Sequence, residues 1–455
     1  MIHLAATPKQ MSFDFERLPT GAIVLSTDDI NQAVAFSSQI PHKSRQWQIY
    51  LTTLAVLGFE HWLEARDYFI PIHRENYSIF QPAIANLLSS VCHLQIGQFK
   101  LCLIAIGSLA DAEVSLPRAV VDLPEFAANF YVLIEVLEEQ EYVIIRPFLS
   151  YQQLREKLTK ANLVPESDWT YQIPLTWFEH DPDRLLLYLR CLEPDAIPLP
   201  AIKPQERIQT LSTMQDELAN LLPQLQTSQQ EIWQVLNWEQ GVAILTNPDL
   251  LNWVDNAQRN IPVAEEQHQN SNYHLSDLIQ LVTKPAVNVG RWLWDELDEL
   301  AQQLSWRLLP QMMPAMRLRS PIEEFEIIAS QLQQQGIEIP SSARGAYQDL
   351  LLAGIQLRLY AVTWNLLSKP DPNSWTLLLI LGSPFSEDLP QTLKLRVSDK
   401  TGILVQQEAN PEQGVSYLFT RVVGSWDDKF LVSVSLMDGV ELTLPPFESN
   451  LGQNV

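Results

Sequence analysis

Glycine is scarce in this chain, with 15 residues among 455. Phosphate-cradling loops need clustered glycines, which let the backbone take φ > 0 and approach the ligand. No Walker loop and no GxGxxG occurs, nor a GxSxG elbow or an HExxH helix. Nucleotide enzymes and hydrolases built on those motifs are therefore disfavoured. Cysteine is scarcer still, at three residues, and no CxxC or HxxxH pair is present. A zinc site needs three or four convergent ligands, so no metal or other cofactor is expected. Three thiols in a chain this long fit a reducing cytoplasm. Basic residues number 30 against 54 acidic ones, a net charge of −24. Neutralising phosphates takes clustered lysine and arginine, so direct nucleic-acid binding is not expected. Long apolar runs are also missing. Leu101 to Ile106 and Leu377 to Leu381 fall far short of the roughly 20 residues of a membrane helix. Met1 to Thr7 lacks the charged and apolar regions of a signal peptide. The expectation is a cytoplasmic protein with no membrane insertion.

Hydrophobic residues make up 46% of the chain, including 13 tryptophans. That composition predicts an ordered globular protein of two to four domains with ample core. The fold class expected is α+β in three parts. Residues 1–150 begin with helices. Asp28 or Asp29 can cap one through about Ser38, and a second spans about Ser44 to Arg66, with Trp47, Tyr50, Leu51, Leu54, Leu57 and Trp62 at helical spacing. Five short strands follow, at Val91 to Gln95, Gln98 to Ile106, Val114 to Asp122, Phe130 to Leu137 and Tyr142 to Pro147, and predict a small barrel-like domain. Residues 151–340 read as mainly helical and acidic, with a possible strand at Tyr171 to Leu175. Ile208, Leu211, Met214, Leu218, Leu221 and Leu225 keep helical spacing, as do Trp292, Leu297, Leu300, Ala301 and Leu304. Asp255 to Asn272 is polar and predicts a mobile loop. Up to residue 339 this part carries twice as many acidic as basic residues, and so more than half of the charge excess.

Residues 341–455 predict an antiparallel immunoglobulin-like β-sandwich. Seven strands are expected, at 355–366, 375–381, 392–398, 402–408, 416–424, 428–436 and 439–445. Several alternate polar and apolar residues at period two, such as Gln356 to Val362 and Lys429 to Leu436. Trp375 to Leu381 is apolar throughout and predicts burial on both faces. Asp438-Gly439 reads as a type I′ hairpin turn, which needs φ > 0 at both central residues. The cysteine pair of immunoglobulin domains is absent, since no cysteine follows Cys191.

Candidate chemistry is thin. Cys92 and Cys102 would face each other across a hairpin with a three-residue turn, either as a redox pair or as small buried side chains. His93 would point to the opposite face from Cys92. Glu60-His61 and Glu179-His180-Asp181 put acid beside imidazole, but catalysis needs convergence in space, which adjacency does not supply. No catalytic residue is assigned, and the reading leans away from an enzyme. Met312, Met313 and Met316 lie between prolines, where a long regular helix cannot form. Exposed, they would make an adaptable docking surface; buried, an irregular packing strip. Trp426, followed by Asp427 and Asp428, reads as an aromatic contact on an acidic hairpin loop.

Four stretches carry a resemblance: Trp47 to Arg66, Leu236 to Leu251 (LNWEQGVAILTNPDLL), Ser305 to Ser320, and Trp375 through Phe447. In these patterns of Trp, Leu and Pro the chain resembles a family of uncharacterised cyanobacterial proteins, known as a domain of unknown function. The resemblance spans nearly the whole chain and brings no catalytic residue with it. It implies a regulatory setting, near alternative sigma factors and caspase-like signalling proteins.

The function expected is that of a non-enzymatic, regulatory protein-binding module. Its partner would be a basic protein, such as a sigma factor or signalling protein, since an acidic surface could compete for the basic surface that binds DNA. The alternatives are an enzyme with a dispersed interdomain site and a scaffold subunit of a signalling assembly.

Overall fold

A computed structural model of the chain describes residues 21–66, 72–107, 112–179, 181–226, 230–259, 275–309, 321–366, 374–384, 389–390, 393–409, 416–436 and 439–450. Helices and sheets are mixed, and the chain divides into two compact units. The first takes Met1–Lys203, Ser228–Thr246 and Val254–Arg259, and the second takes the rest.

In the first unit the strands are β1 (Ala22–Val24), β2 (Val91–Ile96), β3 (Phe99–Ile106), β4 (Glu113–Pro117), β5 (Phe130–Leu137), β6 (Tyr142–Ser150) and β7 (Thr170–Pro174). Helix α1 is Thr27–Ser37 and helix α2 is Lys43–Glu64. The cap of α1 is Ser26, two residues before the expected position, and Asp29 completes the capping box from the first turn. Five strands form one open sheet in the order β1-β6-β5-β3-β2, with β3 and β5 parallel and the other neighbours antiparallel.

The expected barrel does not form. The segment predicted as strand Val114 to Asp122 leaves the ladder at Pro117, which has no N–H to give, and coils into the short helix Ala119–Asp122. β4 pairs with β7 in a separate two-stranded sheet, so β1 and β2 remain the two edges of the larger one. Helix α2 covers one face of that sheet through Ile49, Leu54, Val56, Phe59 and Leu63, against Leu101, Leu103, Val132, Ile134 and Val143. Gly58 permits the approach, since a Cβ there would overlap Val143.

The second unit contains β8 (Val287–Asn288), β9 (Arg307–Leu308), β10 (Arg344–Leu352), β11 (Ile355–Asn365), β12 (Ser374–Gly382), β13 (Leu393–Asp399), β14 (Gly402–Glu408), β15 (Tyr417–Ser425), β16 (Lys429–Leu436), β17 (Glu441–Thr443) and β18 (Phe447–Glu448). One sheet runs β15-β12-β11-β10-β9; the other runs β14-β13-β16-β18-β8, with β17 also on β16. Their facing side chains share one core, which holds Trp375, Leu377 and Leu379 of β12 with Leu395, Val397, Val432 and Val434. The other face of β12 is buried too, because Phe325, Ile328 and Leu332 of helix Pro321–Gln334 cover Leu378 and Ile380.

The loop after β16 differs from the expected turn. Leu436 N donates to Val440 O at 2.9 Å, and Gly439 N donates to Leu436 O at 3.1 Å. The strand thus closes on Val440 rather than Gly439, which stands at φ 91°, while Met437 and Asp438 lie outside the described residues.

Asp255 to Arg259, expected in a loop, lies in helix Pro248–Arg259, and the remainder of that polar stretch falls outside the described residues. The long helix predicted through Ile208 and Leu225 breaks at Met214, between Pro204–Thr213 and Gln215–Leu221.

Candidate functional site

Trp426 lies on a turn, but not in a hairpin. β15 pairs with β12 and β16 pairs with β13, so Ser425 to Asp428 carries the chain from one sheet to the other. The corner is tightly tied. Ser425 N donates to Asp428 Oδ2 at 2.8 Å, and Asp428 N donates to Ser425 O at 2.9 Å. The indole N–H of buried Trp375 donates to Ser425 O at 2.9 Å, and its ring packs on Phe430. Gly424 lets the chain pass, since a Cβ would stand 2.7 Å from the Phe430 ring. Asp428 also meets Lys400 at 3.3 Å. Asp428 therefore builds the corner, while Trp426, 40% exposed, and exposed Asp427 are what it presents. Met312, Met313 and Met316 lie outside the described residues.

A more exposed indole was not singled out from the sequence. Trp294 is 73% exposed at the end of the 3-10 turn Val289–Trp294. Its neighbour Trp292 is fully buried and packs on Trp306, which packs on Phe447. The expected helical face from Trp292 to Leu304 is thus split into this turn and the helix Glu299–Gln303.

The acid–imidazole neighbours have other partners. Asp29 receives Ser26 Oγ at 2.7 Å and meets His61 Nε2 at 3.0 Å. A serine nucleophile needs its histidine to take the proton, whereas here both bind the same carboxylate. Burial would raise the Asp29 pKa, but the Ser26 and His61 contacts outweigh it and hold the carboxyl below its ordinary value. Glu60 points inward and is 1% exposed. Arg74 binds it through Nε at 3.0 Å and Nη2 at 2.5 Å. Burial raises the Glu60 pKa despite that partner, and burial together with Glu60 raises the nearby Tyr77 hydroxyl. Glu179 binds Lys157 at 2.6 Å and Asp181 caps helix Pro182–Cys191, while His180 lies outside the described residues.

The cysteines do not face each other. The β2–β3 turn has two residues rather than three, which pairs Cys92 with Leu103 and Cys102 with His93. That one-residue difference sends the two thiols to opposite faces of the sheet. Both are buried, and burial pushes the Cys92 thiol up to about 12. His93 shares the face of Cys102, and burial lowers its pKa to about 4.

Two further clusters join distant segments. In the first unit Asn237 caps helix Trp238–Leu245 with Gln240 in its capping box. Trp238 lies under Arg118, whose guanidinium is 4.2 Å from the ring centroid, and meets Trp169 edge-on at 5.4 Å. Trp169 takes a left-handed backbone, φ 62°, a conformation rare for a bulky residue. Arg118 N holds its carbonyl at 2.7 Å, and its ring lies directly over Gly241. Asp122 gathers Arg118, Arg155 and Tyr171 beside this cluster. In the second unit Asp277, on the helix over 275–283, is 1% exposed. It accepts from Arg396 at 3.0 Å and from Ser398 Oγ at 2.5 Å, and Arg396 also binds Glu441 at 2.8 Å.

Each of these charged groups has a partner that explains its position as packing. The indoles of Trp426 and Trp294 stay exposed, as does that of Trp47, which packs on Tyr50. Among the described residues no group of three metal-ligating side chains occurs, and no helix is long and apolar enough to cross a membrane.

A family model described as protein of unknown function (DUF1822) matches residues 23–443. No curated protein matches the chain.

Proposed function

Since the chain belongs to the DUF1822 family, whose description assigns no activity, we propose a role from its own surface. The chain is a regulatory protein-binding module of the cytoplasm that takes a basic protein partner, and its C-terminal part is an immunoglobulin-like sandwich that presents the contact. The observation that carries this reading is Trp426, a half-exposed indole on a corner locked by Trp375 and Asp428. A pre-ordered aromatic loses little conformational entropy when a partner covers it. The net charge of −24 supports the choice of a basic partner, because it accelerates encounter with one and repels acidic competitors. An alternative sigma factor fits this chemistry, as its DNA-binding surface is basic, and covering that surface would restrain it.

The experiment is a titration of the full chain against a purified alternative sigma factor, followed by competition with promoter DNA. Binding should weaken about tenfold or more between low salt and ~0.3 M, DNA should compete, and Trp426→Ala should weaken it further. No binding at any salt refutes the sigma-factor reading.

A further inference from the structure

We infer that the turn bearing Trp294 is a second docking point, built for an arginine-bearing segment of the partner. The inference rests on the reading of the chain as a binder of basic protein, and adds a place and a chemistry.

The base of this turn is fixed from several sides. Asn288 Oδ1 accepts from Gly290 N and from Asn450 N, each at 3.0 Å. Trp292 anchors the middle of the turn in the core against Trp306. Asp295 follows in a left-handed conformation, φ 58°, its N–H donating to Trp292 O at 2.8 Å and its carboxylate taking Arg344 Nε at 3.0 Å. The backbone on both sides of Trp294 is therefore ordered while the indole itself is 73% exposed, more than any other large apolar side chain among the described residues, with Val164 next at 70%. Such a side chain gives little packing energy to its own fold, and it is already in place for a partner.

The rim specifies the partner. Glu296 and Glu299 are exposed two and five residues after the indole, while Asp295 is taken by Arg344 and Arg291 is an exposed cation of the same turn. An indole face with carboxylates beside it suits a guanidinium, which stacks on the ring while its N–H groups reach the carboxylates. An acidic or purely apolar segment would leave those carboxylates facing like charge or stripped of water.

The test uses the full chain and a fluorescein-labelled peptide of alternating arginine and serine, with fluorescence anisotropy as the readout. Trp294→Ala should weaken binding about tenfold or more, Trp294→Phe should keep most of it, and Glu296→Gln with Glu299→Gln should weaken it and flatten its salt dependence. A peptide with glutamate in place of arginine should not bind. Circular dichroism checks that each variant is folded. If Trp294→Ala binds as the unaltered chain does, or if Asp216→Asn with Glu217→Gln weakens binding as much as the rim pair, the docking point is refuted. Sigma-factor binding that survives Trp294→Ala sinks this inference alone. Absence of binding to both probe and sigma factor sinks the broader reading with it.

Discussion

Substituting Gly241 by alanine should change sign with the residue above it. The Trp169 ring lies over Gly241 so closely that an added Cβ would stand 2.5 Å from Cζ3. Carbon atoms at rest sit about 3.5–4.0 Å apart, so one of the two must move by about 1 Å or more. Trp169 has little room to do so. Its carbonyl is held by Arg118 N at 2.7 Å, its own N–H donates to Glu166 O at 3.1 Å, and Trp238 stands edge-on at its side. Overpacking of this kind costs about 1–3 kcal/mol. Alanine gains up to ~1 kcal/mol over glycine inside a helix, here Trp238–Leu245. With the full helix gain, the net loss for Gly241→Ala should be up to about 2 kcal/mol. In a Trp169→Ala background the obstruction is gone, and the same substitution should stabilise by up to ~1 kcal/mol. Native-state hydrogen exchange at amides 241–245 in the four members of the cycle reads both values in the helix concerned. Equal effects in the two backgrounds would refute the contact as the reason for glycine.

Three other outcomes follow from the charged and thiol groups. Burial holds the Glu60 carboxyl above its ordinary value of 4.5, with Arg74 opposing, so the folded chain binds a proton that the unfolded chain has already released. Its contribution is full below the ordinary value and declines as pH rises through the raised one. The stability of the unaltered chain relative to Glu60→Gln should therefore fall with rising pH across that window in urea titrations, and a rise would contradict the assignment. Asp277→Ala leaves Arg396 buried with Glu441 as its remaining described carboxylate partner; it should cost about 3 kcal/mol by urea unfolding, and Arg396→Met in the same chain should recover part of that. An unchanged midpoint for Asp277→Ala would show that the network contributes nothing. Thiol titration should find Cys191 reactive in the native protein, and Cys92 and Cys102 only after unfolding. Fast labelling of all three would place the two inner thiols wrongly.

The seven strands expected between Ile355 and Thr443 all lie where turn residues and period-two patterning put them. β10 escaped because Arg344-Gly345-Ala346-Tyr347-Gln348-Asp349 has no clean alternation. Its polar side chains are accommodated by partners on other segments, Asp349 by Arg358 across the hairpin and Gln348 by the carbonyl of Leu304. β1 is three residues long, too short to carry a period. The orientation of Cys92 turned on a single loop residue, a distinction that β-propensity does not encode. Trp426 was legible as a turn residue, but not as a corner between sheets, because strand partners are chosen by segments far away in sequence. Trp294 was hidden by its neighbours, whose apolar spacing resembles a helix. Asp277 offered no signal at all, since its partners are 119 and 121 residues downstream.

The pairing of Val287 with Phe447, and the stack of Trp292, Trp306 and Phe447, also set a timetable during synthesis. A ribosome makes Trp292 about 150 residues before Phe447, which at ~5–20 residues per second is a delay of roughly 8–30 s. Through that interval two indoles wait without their final neighbour, long after the helices beside them have had time to form. Until then residues 287–308 carry aromatic surface that a chaperone recognising exposed aromatic residues would bind.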